Sequence, residues 1–334
     1  MTDSIALPHM VTRFAPSPTG RLHVGHGWSA LLALDMARAA GGAFRLRIED
    51  IDGTRSRAEH VAGIIEDLTW LGVTWDGDVV FQSQRLEAYE AALDQLRAMG
   101  LLYPCFCTRA DIQASLTAPH GPEGPVYPGT CRGLGEDERA QRIAVGEAHA
   151  WRIDMAAAVA RVGVVEWRAV DFSSLPFMRR EDGVRRPQTP GQEDGPHPNP
   201  SNESRASFEP EGEGLCSADP LAHGDVVLAR KDAPASYHLS CTLDDAAMGV
   251  SHVLRGDDLK GATDIHRLLQ ALLALPSPIY CHHPLLVGPD GKRLAKRDGS
   301  IALADLRAQG VNPADLAAAL RGKCFPVGIR LASA

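Results

Sequence analysis

Two histidines, His23 and His26, stand three residues apart, directly after a stretch broken by prolines and glycines. An apolar run from Val11 to Phe14 precedes this stretch and an apolar helical pattern follows it, which predicts a strand, a loop and a helix N-terminus. Such a junction suits an anion, because free backbone N–H groups and the positive end of the helix dipole point at the same place. Gly25 leaves room for a ligand against the backbone. The residues alone also allow a plain surface loop with incidental histidines.

Two separated segments resemble the signatures of one enzyme family. Residues 13–27 resemble the "HIGH" signature of class I aminoacyl-tRNA synthetases, in the form used by the glutamyl and glutaminyl branch. Residues 291–297, Gly-Lys-Arg-Leu-Ala-Lys-Arg, are similar to the "KMSKS" loop of the same family. The glutamyl enzymes have Lys-Leu-Ser-Lys-Arg there, so Arg293 and Ala295 depart from that form. The resemblance implies an α/β, Rossmann-like class I catalytic domain.

The same resemblance implies an ATP site. It assigns ATP binding to His23, Gly25, His26 and Lys296, with Mg²⁺ expected beside the nucleotide. His23, His26 and Lys296 would be the catalytic residues, because they would stabilise the phosphates of ATP in the transition state.

An acidic residue follows the second predicted strand. Phe44, Leu46 and Ile48 alternate with arginines, which indicates a strand, and residues 28–40 read as a helix between the two apolar runs. A strand, a helix and a parallel strand form the first unit of a Rossmann-like sheet, whose ligands bind at the carboxyl ends of the strands. Glu49 falls at such an end, where a carboxylate suits an ammonium group. A solvated acidic loop is the alternative.

The resemblance implies an L-glutamate site of five residues. Glu49 would contact the amino group, Tyr237 would lie over the amino acid, and Arg255 would hold the side-chain carboxylate at a strand end. Arg13 would contact the same ligand, with Ser17 beside it. Two flanking arginines would favour glutamate over glutamine, whose amide cannot complete a charged pair. On spacing alone, Tyr237 could equally be a core tyrosine on an inner strand.

Three cysteines form a candidate metal site. Cys105 and Cys107 are followed by Cys131 in a short segment rich in proline and glycine, and soft thiolates suit a structural Zn²⁺. A closed site needs a fourth ligand, for which Tyr127 and His120 are the candidates; three reduced cysteines without metal are the alternative. The arrangement resembles the zinc site of the glutamyl enzymes and their short paralogues, which implies Tyr127 as the fourth ligand and a subdomain that grips the tRNA acceptor stem.

Composition sets broad limits on the class of protein. The chain has 334 residues, 44% hydrophobic residues and a net charge of −8, which argues against a broadly basic coat for nucleic acid. Local patches can still bind tRNA. No apolar run approaches bilayer length and residues 1–12 do not resemble a signal peptide, so we expect a cytoplasmic enzyme without membrane contact. We expect a monomer.

We predict four parts of the chain. They are a catalytic half at 1–100, an inserted zinc-bearing acceptor-binding subdomain at 101–222, a second catalytic half at 223–300 and a short helical tail at 301–334. Residues 181–214 are rich in proline and glycine, which predicts a flexible insertion or a partner-specific loop.

The length of the tail bears on the expected function. About 37 residues follow Arg297, whereas an anticodon-binding domain typically needs about 100 residues or more. We therefore expect no such domain, and the chain resembles the short paralogues of the glutamyl enzymes. That resemblance implies activation of L-glutamate with ATP and transfer of glutamate to the queuosine base in the anticodon loop of tRNA(Asp).

Three other functions stay open at this point. The chain could be an ordinary glutamyl-tRNA synthetase whose anticodon domain is lost or supplied elsewhere. Arg293 and Ala295 also allow a catalytically weak tRNA-binding module. A small-molecule ligase with both signatures is disfavoured, because the glutamate-type residues all occur in order.

Overall fold

The fold is described from a computed structural model of the chain. The described residues are 10–108, 111, 120–121, 124–175, 213–289, 291, 294, 301–326 and 328–332. Lys296, with Arg293 and Ala295, lies outside them, and so does the predicted insertion apart from residues 213 and 214. Expectations for these residues stay sequence predictions.

Strands and helices alternate along most of the described chain. The strands are β1 Val11–Phe14, β2 Ala43–Ile48, β3 Val80–Phe81, β4 Leu102–Cys105, β5 His120–Gly121, β6 Gly124–Pro125, β7 Ala150–Ile153, β8 Glu166–Val170, β9 Glu213–Ser217, β10 Val227–Ala229, β11 His252–Gly256, β12 Ile279–His283, β13 Leu286–Val287 and β14 Arg330–Leu331. The helices are α1 Val24–Ala39, α2 Ala58–Trp70, α3 Leu86–Ala98, α4 Glu136–Ala144, α5 Met155–Val162, α6 Tyr237–Ala247, α7 Ala262–Leu272, α8 Leu303–Ala308 and α9 Pro313–Arg321.

The predicted first unit of the sheet is confirmed. β1 pairs with β2 in parallel, β2 pairs with β3 in parallel, and α1 connects β1 to β2. α1 begins at Val24, at the predicted junction of loop and helix, and His23 caps its first turn. The helix is buried on most sides, since it contacts β1, β2, β11 and α9. Its apolar composition follows from that position.

A second parallel sheet continues the first. β11, β12 and β8 are parallel, and β9 adds an antiparallel edge. The backbone N–H of Ser251 donates to the carbonyl of Val11 at 3.0 Å, and the Val11 N–H donates to Ser251 Oγ at 2.9 Å. β1 therefore lies beside the start of β11, and residues that follow β1, β2 and β11 reach the same region.

A second apolar core lies beside this sheet. Helices α3, α5, α6 and α7 share it, with Tyr89, Leu93, Ile153, Leu239 and Leu268 each fully buried. An antiparallel sheet of β10, β7 and β4 adjoins it. This core takes side chains from three of the four predicted parts, whose boundaries stay predictions. None of the helices in the described part of the chain is long and apolar enough to cross a membrane.

The fully buried carboxylate of Asp244 on α6 joins this core to the segment before α3. It accepts from Gln82 Nε2 at 2.8 Å, from Arg85 Nε at 2.6 Å and from the Tyr89 hydroxyl at 2.9 Å. A buried carboxylate with several donors is costly to remove, because each donor then loses its partner.

We expect Asp244→Ala to lower the free energy of unfolding by about 3–5 kcal/mol, since the buried donors would be left without their acceptor. Urea unfolding followed by circular dichroism would measure the change. Asp94→Ala is the control, because Asp94 pairs with Arg97 on the exposed face of α3, and a surface pair is worth about 1 kcal/mol or less. Equal urea midpoints for the two variants would contradict the role of Asp244.

Candidate active site

A cavity of about 690 Å³ opens at the carboxyl ends of β1, β2 and β11. Every described residue that the sequence assigned to the ATP and glutamate sites lines it: Arg13, Ser17, His23, Gly25, His26, Glu49, Tyr237 and Arg255. They come from segments more than 200 positions apart in the sequence. The structure thus brings the predicted residues together, and their individual roles stay predictions.

The two histidines are fixed by backbone hydrogen bonds at the start of α1. His23 Nδ1 accepts from the Gly25 N–H at 3.1 Å, and His26 Nδ1 accepts from the His23 N–H at 3.2 Å, which together form a capping box. The rings stack with their centroids 3.7 Å apart. Each Nδ1 accepts a backbone hydrogen bond, so any proton that these rings carry is on Nε2, which can donate to a ligand.

Residues after the predicted phosphate loop form backbone hydrogen bonds with the residues on either side of His23. The Val24 N–H donates to the carbonyl of Ile301 at 3.1 Å, and the Leu303 N–H donates to the carbonyl of Leu22 at 2.9 Å. A Cβ at Gly27 would lie 2.9 Å from a methyl carbon of Leu71 and 3.2 Å from one of Leu303, so a larger residue there would force these side chains to shift. The pattern of residues 301–303 gives no signal of this contact, which was therefore not predicted.

Arg13 is already paired with a carboxylate. Its Nε and Nη2 donate to the two carboxylate oxygens of Asp245 at 3.1 and 3.3 Å. Arg47, which is fully buried, donates to Asp245 at 2.6 Å and to Glu49 at 3.1 Å. The guanidinium groups of Arg13 and Arg47 and the carboxylates of Asp245 and Glu49 therefore form one buried cluster, and Asp244 Oδ2 lies 3.8 Å from Arg47 Nε. Sequence analysis missed Arg47 and Asp245, because nothing local shows that they meet.

The two carboxylates of this cluster respond differently to burial. Burial alone would raise the pKa of Asp245, but the charges of Arg13 and Arg47 outweigh it and hold the pKa below its usual range. Burial raises the pKa of Glu49, and the charges of Arg47 and Arg13 offset this only in part. An ammonium group bound beside Glu49 would favour its ionised form.

Arg255 has a different set of partners, all of them neutral. Its Nε donates to His282 Nε2 at 3.3 Å, and its Nη1 lies 3.4 Å from the Tyr237 hydroxyl and 3.3 Å from His266 Nδ1. Its Nη2 donates to Thr263 Oγ1 at 2.6 Å. The residue is 4% exposed, and no carboxylate in the described ranges pairs with it. Tyr237 begins α6, so the alternative of an inner strand is wrong.

The histidines around Arg255 are neutral near pH 7. Burial, reinforced by the charge of Arg255, lowers the pKa of His282 to about 3 and that of His266 well below its usual value. Burial, with the charges of His223 and Arg255, lowers the pKa of His238 to about 4. Neutral rings can accept hydrogen bonds from Arg255 without adding charge.

The three predicted cysteines form a cluster that could hold a metal ion. The sulfur atoms of Cys105, Cys107 and Cys131 all lie within 4.8 Å of one another. The Tyr127 hydroxyl lies 3.4 Å from the sulfurs of both Cys105 and Cys107, and it accepts from the Cys131 N–H at 2.9 Å. Three thiols and a phenol thus converge, which fits the predicted donor set. The His120 side chain lies outside what the structure describes.

The neutral histidines predict a pH-dependent stability. The pKa of His282 is about 3 in the folded chain and about 6.5 when unfolded, so unfolding takes up a proton between these values. The free energy of unfolding should therefore fall as the pH drops below about 6.5, by up to about 1.4 kcal/mol per pH unit for this residue.

Urea unfolding at pH 7, 6 and 5 would measure this loss in the wild type and in His282→Gln. We expect a shallower pH dependence in the variant, since glutamine does not titrate. Other titrating groups contribute to both proteins alike, so the difference between the slopes isolates His282. Parallel slopes would contradict the prediction.

Comparisons with known proteins agree with this geometry. Residues 9–165 and 199–328 match the family described as tRNA synthetases class I (E and Q), catalytic domain. A glutamyl-Q tRNA(Asp) synthetase of Rhodobacter capsulatus is 46% identical over 92% of this chain and 98% of its own length. One of Nocardia farcinica is 41% identical over 92% of this chain and 82% of its own length.

Proteins named as glutamate–tRNA ligases are also similar. Glutamate–tRNA ligase 2 of Dinoroseobacter shibae is 37% identical over 90% of this chain and 58% of its own length. The crystal structure of a glutamate–tRNA synthetase from Elizabethkingia anophelis shares the fold, with a TM-score of 0.62 at 24% identity, over 87% of this chain and 53% of that one. The chain therefore belongs to the class I tRNA synthetases of the E and Q type, and it is a ligase of that class with a mixed α/β catalytic domain.

Proposed function

We propose that this chain activates L-glutamate with ATP and transfers the glutamate to the queuosine base of tRNA(Asp). The observation that carries the proposal is Arg255, a buried cation with only neutral partners among the described residues, in the same cavity as His23 and His26. A buried charge without a counter-ion is costly, so such a site favours an anionic ligand.

The residues around Arg255 suit the three polar ends of glutamate. The guanidinium would bind the side-chain carboxylate, with the Tyr237 hydroxyl beside it. Glu49 would bind the ammonium group across the cavity. Arg13 has its charge matched by Asp245, so selection of a carboxylate over an amide would depend mainly on Arg255. Ser17 lines the same cavity and would donate to the ligand beside Arg13.

The start of α1 suits the phosphates of ATP. An oxygen of the glutamate α-carboxylate would attack the α-phosphorus, the bond to the bridging oxygen would break, and pyrophosphate would leave. His23 and His26 would donate from Nε2 to phosphate oxygens, and Gly25 would let the nucleotide approach the backbone. Lys296 would neutralise charge in the transition state, as the sequence predicts, with Mg²⁺ on the phosphates. The protein would thus act by positioning and charge neutralisation.

The acceptor is supported by the relatives' names. The two glutamyl-Q tRNA(Asp) synthetases described above are 46% and 41% identical to this chain. The glutamate–tRNA ligase of Dinoroseobacter shibae is 37% identical. Transfer to tRNA(Asp) would take place in the cytoplasm. Charging of tRNA(Glu) is the second candidate, because relatives named glutamate–tRNA ligase also match.

Glutamate-dependent exchange of pyrophosphate into ATP tests the activation step without tRNA. We expect exchange in the wild type and a rise of about 100-fold in the glutamate KM for Arg255→Met, because a charge-assisted hydrogen bond to the ligand is lost. The KM for ATP should change little. Arg321→Met is the control, since Arg321 pairs with Asp35 at the surface. An unchanged glutamate KM in Arg255→Met would exclude the proposed binding mode.

The acceptor is tested with labelled glutamate and three RNAs: tRNA(Asp) with queuosine, tRNA(Asp) without it, and tRNA(Glu). Labelling of the first alone supports the proposal. Labelling of tRNA(Glu) at its 3′ end, with exchange that requires tRNA, would instead show that the chain is an ordinary glutamyl-tRNA synthetase. Binding of tRNA with no exchange under any condition would show that the chain is a tRNA-binding module rather than an active synthetase.

We also propose that Cys105, Cys107, Tyr127 and Cys131 hold one structural Zn²⁺. Metal analysis of protein purified without chelators should find about one zinc per chain. Cys105→Ser should lose it, whereas Cys324→Ser, which changes an exposed cysteine outside the cluster, should keep it. Tyr127→Phe should bind zinc more weakly if the phenol is a ligand. Zinc-free wild type, or equal zinc in both cysteine variants, would contradict the site.

A further inference from the structure

Three side chains hydrogen-bond to Arg255 without lining the cavity themselves. Thr263 and His266 come from α7, and His282 comes from β12. They accept from Nη2, Nη1 and Nε of the guanidinium, so one acceptor meets each nitrogen. We call these three residues the neutral cage. It fixes the guanidinium on two sides, from a helix and from a strand.

The neutral cage contrasts with the surroundings of two other buried arginines, Arg13 in the cavity wall and Arg47 next to it. Arg13 and Arg47 are held by the carboxylates of Asp245 and Glu49. A carboxylate both orients a guanidinium and cancels its charge. Threonine and neutral histidine also accept hydrogen bonds from its N–H groups, but they leave its charge in place.

Uncancelled charge has a consequence for ligand selection. A buried guanidinium that lacks a counter-ion gains most from a ligand that brings a negative charge, and gains less from an amide. Had a carboxylate stood at any cage position, Arg255 would already be neutralised, as Arg13 is. The type of side chain in the cage therefore matters beyond its ability to accept a hydrogen bond.

We propose that Thr263, His266 and His282 determine substrate specificity as positioning residues: they hold Arg255 by neutral acceptors so that its charge selects a carboxylate side chain over an amide. The proposal rests on the proposed activation of glutamate, which it deepens. The cage residues do not touch the substrate and act through Arg255.

A matched pair of substitutions at His282 separates charge from position. Glutamine and glutamate both place a side-chain oxygen near the position of the Nε2 atom, and they differ in one negative charge. In the exchange assay, we expect the glutamate KM of His282→Glu to exceed that of His282→Gln by about 30-fold, because Arg255 is then already paired. The kcat and the KM for ATP should be alike in the two variants, which a general loss of structure would not produce.

The ratio of kcat/KM for glutamate to that for glutamine is the second measurement. It should be about 30-fold lower in His282→Glu than in His282→Gln, since neutralising Arg255 penalises the anionic substrate more than the amide. A second pair, His266→Asp and His266→Asn, approaches the guanidinium from α7 and should show the same order. It decides the question if a His282 variant fails to fold.

The outcomes distinguish this inference from the function on which it rests. Wild type without glutamate-dependent exchange would overturn the proposed function and this inference with it. Exchange in the wild type, with equal glutamate KM values within both pairs, would overturn the inference alone. A higher glutamate KM in the acidic member of either pair, with its ATP KM unchanged, would support it.

Discussion

The buried carboxylate of Asp245 is the contact on which the arrangement of the cavity depends. It receives Arg13 from β1 and Arg47 from β2, although it lies on α6, more than 190 residues further along the chain. Arg47 in turn orients Glu49. Because buried charges must be paired, these four residues can be buried only together. The ion-pair cluster therefore fixes α6 against the first sheet, and with it Tyr237 at the start of that helix.

Arg255 is also buried, but it has no ion pair among the described residues. Its burial is accompanied by hydrogen-bond acceptors but by no opposite charge among the described residues. Binding of an anion at Arg255 is thus favoured, because the anion supplies the opposite charge that the buried guanidinium lacks. Arg13 is matched by a carboxylate and Arg255 is not, so an added carboxylate gains more at Arg255 than at Arg13.

Local patterns in the sequence predict the first unit of the fold: the apolar run at β1, the alternation in β2 and the helical pattern of α1 require no tertiary information. The members of the cavity were predicted by the resemblance to the class I synthetases, which supplied the histidines and the glutamate-type residues. What could not be predicted is pairing across long sequence separations: nothing near Asp245 shows that it meets Arg13, and nothing near Thr263 shows that it holds Arg255.

The contact between residues 301–303 and α1 joins the segment that follows the predicted phosphate loop to the helix that carries the histidines. The backbone of Ile301 and Leu303 bonds directly to the residues on either side of His23. A chain segment that leaves the predicted phosphate loop is therefore tied to the helix N-terminus that carries the histidines. Because hydrogen bonds between backbones allow little lateral shift, the distance between the loop's exit and His23 is fixed by the fold. Under the proposed function, the N–H groups and histidines at the start of α1 would be held in place before the phosphates bind, and electrostatic stabilisation of a transition state is most effective under that condition.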